Sequence, residues 1–225
     1  MGASRMPSAR PLSRMPAGTC MYLHSGIGLT MSLLLESLWI NKAVPAGDQY
    51  RAACEGIGLF DLTDREHVEL RGADRAKFLH NFCTQEINRL AAGTGAEAFL
   101  TNIKGRILGH VLVFVGEEAI WLDAPPGCVD VVIPHLDRYL ITEDVQIADR
   151  SADWGEVTLI GQKAAELVDA FVPGAGQFAP CQHGHQDGIT VRRFDFSMSP
   201  GWLIGAAREQ LPSICERLAA AGAVP

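Results

Sequence analysis

Residues 96–115, AEAFLTNIKGRILGHVLVFV, carry a dense run of apolar positions broken only by the stretch Thr101, Asn102, Ile103, Lys104 and Gly105, a pattern that predicts two strands joined by a turn. From Arg106 onward one face holds Ile107, Gly109, Val111, Val113 and Val115, and the other holds Leu108, His110, Leu112 and Phe114. Both faces therefore call for burial, which marks a central strand. Gly109 and His110 cost that strand stability, because glycine offers nothing to pack and a buried imidazole needs a partner. A ligand lying against the strand is one reason to keep both. The plainer alternative is that Asn102 and Gly105 are ordinary hairpin chemistry and His110 a satisfied core histidine. The spacing leaves the two readings open.

The flanking pattern is regular. Residues 47–62 predict a short helix, a glycine stop and an extended segment from Leu59. A strand over 67–71 turns at Gly72 into a helix over 73–82, with Ala76, Phe78, Leu79 and Phe82 on one face. After the central pair come a strand over 119–123, a helix over 129–140 whose start Pro134 leaves open, and a strand over 145–149. The order is β-α-β-β-β-α-β. A second round begins at Glu156, where VTLI, Gly161 and a helix over 163–171 echo the strand, glycine and helix of VEL, Gly72 and 73–82. Strands over 189–195 and 202–206 follow, then a helix over 209–221 with Leu211, Ile214, Cys215 and Leu218 inward. No closing strand follows, so the second unit is incomplete at its C-terminus or the chain is a truncated form of a longer one. Residues 1–45 hold no acid before Glu36 and scatter Arg5, Arg10 and Arg14 among Ser, Pro, Met and Gly, the composition of a leader or an over-extended start. The expected division is 1–45, then a first unit over 46–153 and a second over 154–225.

Composition narrows the function classes. At 225 residues, 48% hydrophobic and 20% charged, the chain can bury one good core or two small ones. A net charge of −7 gives nucleic acid no general attraction, and the apolar run 26–35 is too short to cross a bilayer. Six cysteines without a C-x-x-C pair fit a reducing cytoplasm. Cys181, His183, His185 and Asp187 have ligand chemistry, but their spacing matches no closed zinc pattern; an exposed polar loop between Pro180 and Gly188, binding no metal, is expected. The phosphate-binding and dinucleotide glycine motifs and the G-x-S-x-G nucleophile elbow are absent.

Several segments in combination resemble one family. They are 58–62 (GLFDL), 70–74 (LRGAD) leading to 78–87 (FLHNFCTQEI), 101–108 (TNIKGRIL), and 149–151 (DRS) followed by 159–165 (LIGQKAA). The chain is similar here to the folate-binding family that includes the glycine-cleavage T-protein, an aminomethyltransferase, and the YgfZ-type proteins. The resemblance implies an α+β fold of ferredoxin-like β-α-β-β units around a tetrahydrofolate pocket, with the strand after Lys104, Gly105 and Arg106 as part of its wall. By that alignment Gly109 and His110 stand where T-proteins carry paired aspartates, and Asp123 stands where the family places a pterin-contacting asparagine. Trp202 keeps the aromatic of a later motif, while Ser199 and Leu203 replace its acids. The YgfZ-type C-terminal cysteine motif has no counterpart.

The resemblance thus implies folate contacts at Gly109, His110, Phe114, Asp123 and Trp202, a turn at Asn102, Lys104, Gly105 and Arg106, and His110 as the remaining candidate catalyst. Tetrahydrofolate is the expected cofactor and partner, with a protein partner left unspecified. The expected function is folate binding with a one-carbon, iron–sulfur or tRNA-modification accessory role. Aminomethyl transfer with His110 in place of the acid, and a ligand-free structural fragment, are the alternatives.

Overall fold

Alternation of apolar and polar residues marks β-strands such as residues 66–71 and 156–159, while other strands are apolar on both faces, in the computed structural model, which describes residues 44–195 and 199–225. The leader expected over 1–45 lies, up to residue 43, outside the described residues. The elements run α1 (Ala46–Glu55), β1 (Gly58–Asp61), β2 (Glu66–Arg71), α2 (Arg75–His80), β3 (Thr94–Thr101), β4 (Ile107–Val115), β5 (Ala119–Ala124), α3 (Val129–Asp137) and β6 (Gln146–Asp149). They continue with β7 (Trp154–Ile160), α4 (Ala164–Val168), β8 (His183–Gln186), β9 (Ile189–Arg193), β10 (Gly201–Ala207) and α5 (Leu211–Ala220).

Two five-stranded antiparallel sheets result, in the orders β3-β4-β5-β2-β6 and β8-β9-β10-β7-β1. Strand for strand these are the same arrangement, so the echo between the two halves of the sequence is an echo of topology. The edge held by β6 in the first sheet is held in the second by β1, which comes from the N-terminal segment and pairs Gly58 with Ile160. Val224, beyond α5, adds a single parallel bridge to Gly58. The segment before Asp61, grouped by sequence with the first unit, is thus hydrogen-bonded into the second sheet.

The glycine that ends the first strand of each unit has a matching reason. Gly72 (φ 109°) and Gly161 (φ 134°) sit in a backbone region that L side chains avoid, and a Cβ would meet Asp144 O at 2.1 Å and Gly56 O at 2.2 Å respectively. Both carbonyls belong to the chain entering the edge strand. In each unit, bare backbone lets that strand close against the first one.

Both sheets bury their apolar faces against helices. Val68, Leu70, Val111, Val113, Ile120 and Leu122 pack with α2 and α3, and Leu59, Val157, Leu159, Val191, Trp202 and Ile204 pack with α4 and α5. Between the sheets lies a smaller apolar group, Leu112, Phe114 and Leu203, flanked by Leu62, Trp121 and Phe194. The layering is helix, sheet, sheet, helix. One expectation is corrected here: residues 180–188 are not simply a polar loop, because 183–186 form β8. Asp187 (φ 53°) and Gly188 (φ 79°) make the tight turn into β9, the Asp-Gly signal of a two-residue hairpin.

Candidate functional site

The faces that the two sheets turn toward each other carry, beside the apolar group of Leu112, Phe114 and Leu203, a set of buried polar residues. On β2 the residues opposite Val68 and Leu70 are His67 and Glu69, and on β7 those opposite Val157 and Leu159 are Glu156 and Thr158. Register aligns them in rows: His67 lies beside Asp123, which lies beside Leu112, while Glu156 lies beside Gly205, which lies beside Thr190. Facing rows bring His67, Asp123 and Glu156 together, all fully buried, with their ligand-capable atoms within 4.8 Å of one another.

Two arginines hold this cluster. Arg65 donates to Oδ1 of Asp123, and Arg192, itself 2% exposed, donates to Oε1 of Glu156. Each carboxylate keeps a second oxygen, Oδ2 or Oε2, with no hydrogen-bond partner among the described residues, and the same is true of both ring nitrogens of His67. Burial, and then the negative charge of Glu156, push the Asp123 carboxyl up to about 7 against the pull of Arg65. Burial pushes His67 down to about 3, so its imidazole is neutral. One step along β2, burial of Glu69 opposes its ionisation, yet the guanidinium groups of Arg71 and Arg150 hold it below the usual carboxylate range.

Beyond Arg192 the seam opens into a cavity of about 770 Å³ between the ends of β4, β5, β8 and β9. Its walls include Phe114, Trp121, Trp154 and His183, with the two indoles 5.3 Å apart. Arg192 lies over the Phe114 ring at 4.7 Å, so one side chain both closes the cavity and anchors Glu156. Gly205 lets Trp154 cross the seam, since a Cβ there would meet Nε1 of that indole at 2.7 Å. His183 places Nε2 3.0 Å from the Val115 carbonyl, and burial with Arg192 nearby lowers its pKa to about 4. Aromatic faces with a few placed charges suit a planar, partly anionic ligand.

The residues singled out by sequence do not all meet here. Phe114 lines the cavity, and Asp123 belongs to the buried cluster. His110 lies on the same face of β4 but toward its other end, half-exposed, with Nε2 2.7 Å from Glu97 Oε1 and its ring 5.3 Å from that of Phe99. Gly109 leaves no space for a ligand: it faces α3, where a Cβ would meet Cys128 Sγ at 2.3 Å. Trp202 is no wall of the cavity; it lies in the helix-side core and donates its indole N–H to Ala175 O at 3.0 Å. Asn102 is turn chemistry, its Oδ1 accepting from the backbone N–H of Lys104 (2.9 Å) and Arg106 (3.1 Å), with Gly105 at φ 72°. Lys104 and Arg106 are exposed at that turn, away from the cavity.

Sequence reasoning missed Arg65, His67, Trp121, Trp154, Glu156 and Arg192. The only signal was that their strands are apolar on one face and polar on the other, a pattern that also describes a strand with a solvated face.

The fold and the seam define a class, a two-unit α+β domain that keeps its charged groups and a ligand-sized cavity between facing sheets. Within that class the chain belongs to the GCVT N-terminal domain family, whose sequence model matches residues 40–224. An aminomethyltransferase from Rubrobacter xylanophilus is 26% identical over 183 residues, covering 79% of this chain and 49% of that protein. The glycine cleavage system aminomethyltransferase T from Bartonella henselae shares the fold at a TM-score of 0.69 and 20% identity, over 76% of this chain and 47% of that one. A chain of the heterotetrameric sarcosine oxidase from Corynebacterium sp. U-96 superposes at a TM-score of 0.51 and 20% identity, over 78% of this chain and 90% of that one. The chain spans about half the length of the curated aminomethyltransferase it matches.

Proposed function

We propose that the domain binds a reduced folate between its two sheets and serves one-carbon chemistry. The observation that carries this reading is the cavity of about 770 Å³ walled by Phe114, Trp121 and Trp154, within the roughly 300–1,000 Å³ of small-molecule sites. Its aromatic walls suit a flat pterin. Arg71 at its rim suits the carboxylates of the folate tail. Family membership supports the same ligand class.

In this reading the domain binds folate more readily than it transfers an aminomethyl group. His110 stands where the resemblance places an aspartate, and an imidazole supplies no negative charge in either protonation state. An accessory role in iron–sulfur or tRNA-modification metabolism, in the cytoplasm, is the finer form of the proposal, supported by that replacement. Aminomethyl transfer itself is the second reading, favoured by the similarity to aminomethyltransferases.

Titration with tetrahydrofolate, followed by calorimetry and tryptophan fluorescence, tests the proposal. Saturable one-to-one binding is expected, weakened about tenfold or more in Trp121→Leu by loss of a stacking face, and unchanged in Trp202→Phe. Wild-type protein without saturable binding would overturn it. Aminomethyl transfer at the rate of a complete T-protein would favour the second reading.

A further inference from the structure

We propose that His67, Asp123 and Glu156 form a binding site for a divalent transition-metal ion in the seam between the sheets. The three come from β2, β5 and β7, and their ligand atoms already lie within 4.8 Å of one another. Two ligands bound to one ion at about 2.1 Å stand about 3–4 Å apart, so small side-chain adjustments close the set. One neutral imidazole and two carboxylates are a donor set suited to manganese, iron, cobalt or zinc.

The distribution of hydrogen bonds carries the inference. Every oxygen of the pair that is satisfied is satisfied by an arginine from outside the cluster, Oδ1 of Asp123 by Arg65 and Oε1 of Glu156 by Arg192. The atoms left over are Oδ2, Oε2 and, on a fully buried neutral ring, both nitrogens of His67, one an acceptor and the other carrying the ring proton. Unpaired buried acceptors cost about 1–3 kcal/mol each, and more where charge is involved. A cation serves both carboxylate oxygens and one His67 nitrogen at once, and leaves the other ring nitrogen its proton. Arg65 and Arg192 then act as the outer hydrogen bonds that orient metal-binding carboxylates. They already offset both carboxylate charges, so a bound dication leaves the seam positive and suits an anionic group at its open positions.

The inference does not depend on folate. The full chain, stripped with a chelator and dialysed, is titrated with cobalt(II) and manganese(II) chloride. One equivalent is expected to bind, with visible cobalt absorption and a raised melting temperature. Pulsed paramagnetic resonance of the manganese-loaded wild type should show coupling to one imidazole nitrogen, a readout that needs no variant. Among variants whose circular dichroism matches wild type, His67→Asn and Glu156→Gln should lose more than about 100-fold in affinity, above the roughly 10- to 100-fold expected for an outer-shell partner. His185→Ala should bind as wild type does. No stoichiometric binding, binding undiminished in folded His67→Asn and Glu156→Gln, or manganese bound without nitrogen coupling would each overturn the site.

Discussion

Replacing Gly109 by alanine tests how β4 is held, and its cost follows from the geometry. The new methyl would stand 2.3 Å from Cys128 Sγ and 3.5 Å from Val132 Cγ2, the first more than 1 Å inside an ordinary contact of about 3.5–4 Å. Overpacking of this kind costs about 1–3 kcal/mol, with the low end reached if the sulfur can rotate away. Alanine also restricts the unfolded chain, which returns about 0.4–1 kcal/mol. The net expectation is a loss of about 1–2 kcal/mol. In a Cys128→Ala background the clash partner is gone, so the same substitution should be close to neutral, a coupling of about 1–2 kcal/mol between two touching residues. Urea unfolding of the four proteins measures this, the single variant shifting its midpoint by about 0.5–1 M at an ordinary slope. Folate affinity should not change, because Gly109 faces α3 and not the seam. Strict additivity of the two substitutions, or a Gly109→Ala protein as stable as wild type, would refute the packing account.

Three further outcomes are expected. Gly72→Ala and Gly161→Ala should each cost more than about 2 kcal/mol in urea unfolding, since both meet backbone at close range from a positive φ; Gly105→Asn, in open space at φ 72°, should cost less than about 1 kcal/mol. Trp202→Phe should lower stability by about 1–2 kcal/mol through the lost bond to Ala175 O, with tetrahydrofolate titration unaffected. For His183, the unfolded chain takes up a proton near pH 6.5 and the folded chain only near 4. Stability is therefore full above pH 6.5 and falls as pH drops between those values, by at most about 3 kcal/mol. Melting curves of wild type and His183→Gln across that range should converge at acid pH.

The central pair of strands and both helix-strand rounds were legible because each local pattern had one physical solution. Val111, Val113 and Val115 had to face one way and Leu112 and Phe114 the other, and both faces are buried. Gly72 and Gly161 marked equivalent turns. The Asp187-Gly188 turn was equally local, and β8 was missed because polar His183, Gly184 and His185 gave it no apolar alternation.

The candidate site was hidden for a different reason. In His67-Val68-Glu69-Leu70 and in Glu156-Val157-Thr158-Leu159 the sequence by itself determines that one face is apolar and the other polar. Burial of the apolar face is then required, and helices provide it. Whether the polar face meets water or another sheet is not a property of the strand. Tertiary structure decided that, by laying two copies of one topology face to face. This brought Asp123 and Glu156, 33 positions apart, and His67 into one buried cluster paired with Arg65 and Arg192. The same packing sent Gly109 and Trp202 toward helices and left Phe114 beside the cavity. Alternation is fixed by the period of the strand, whereas the partner of each face is fixed only by long-range contacts.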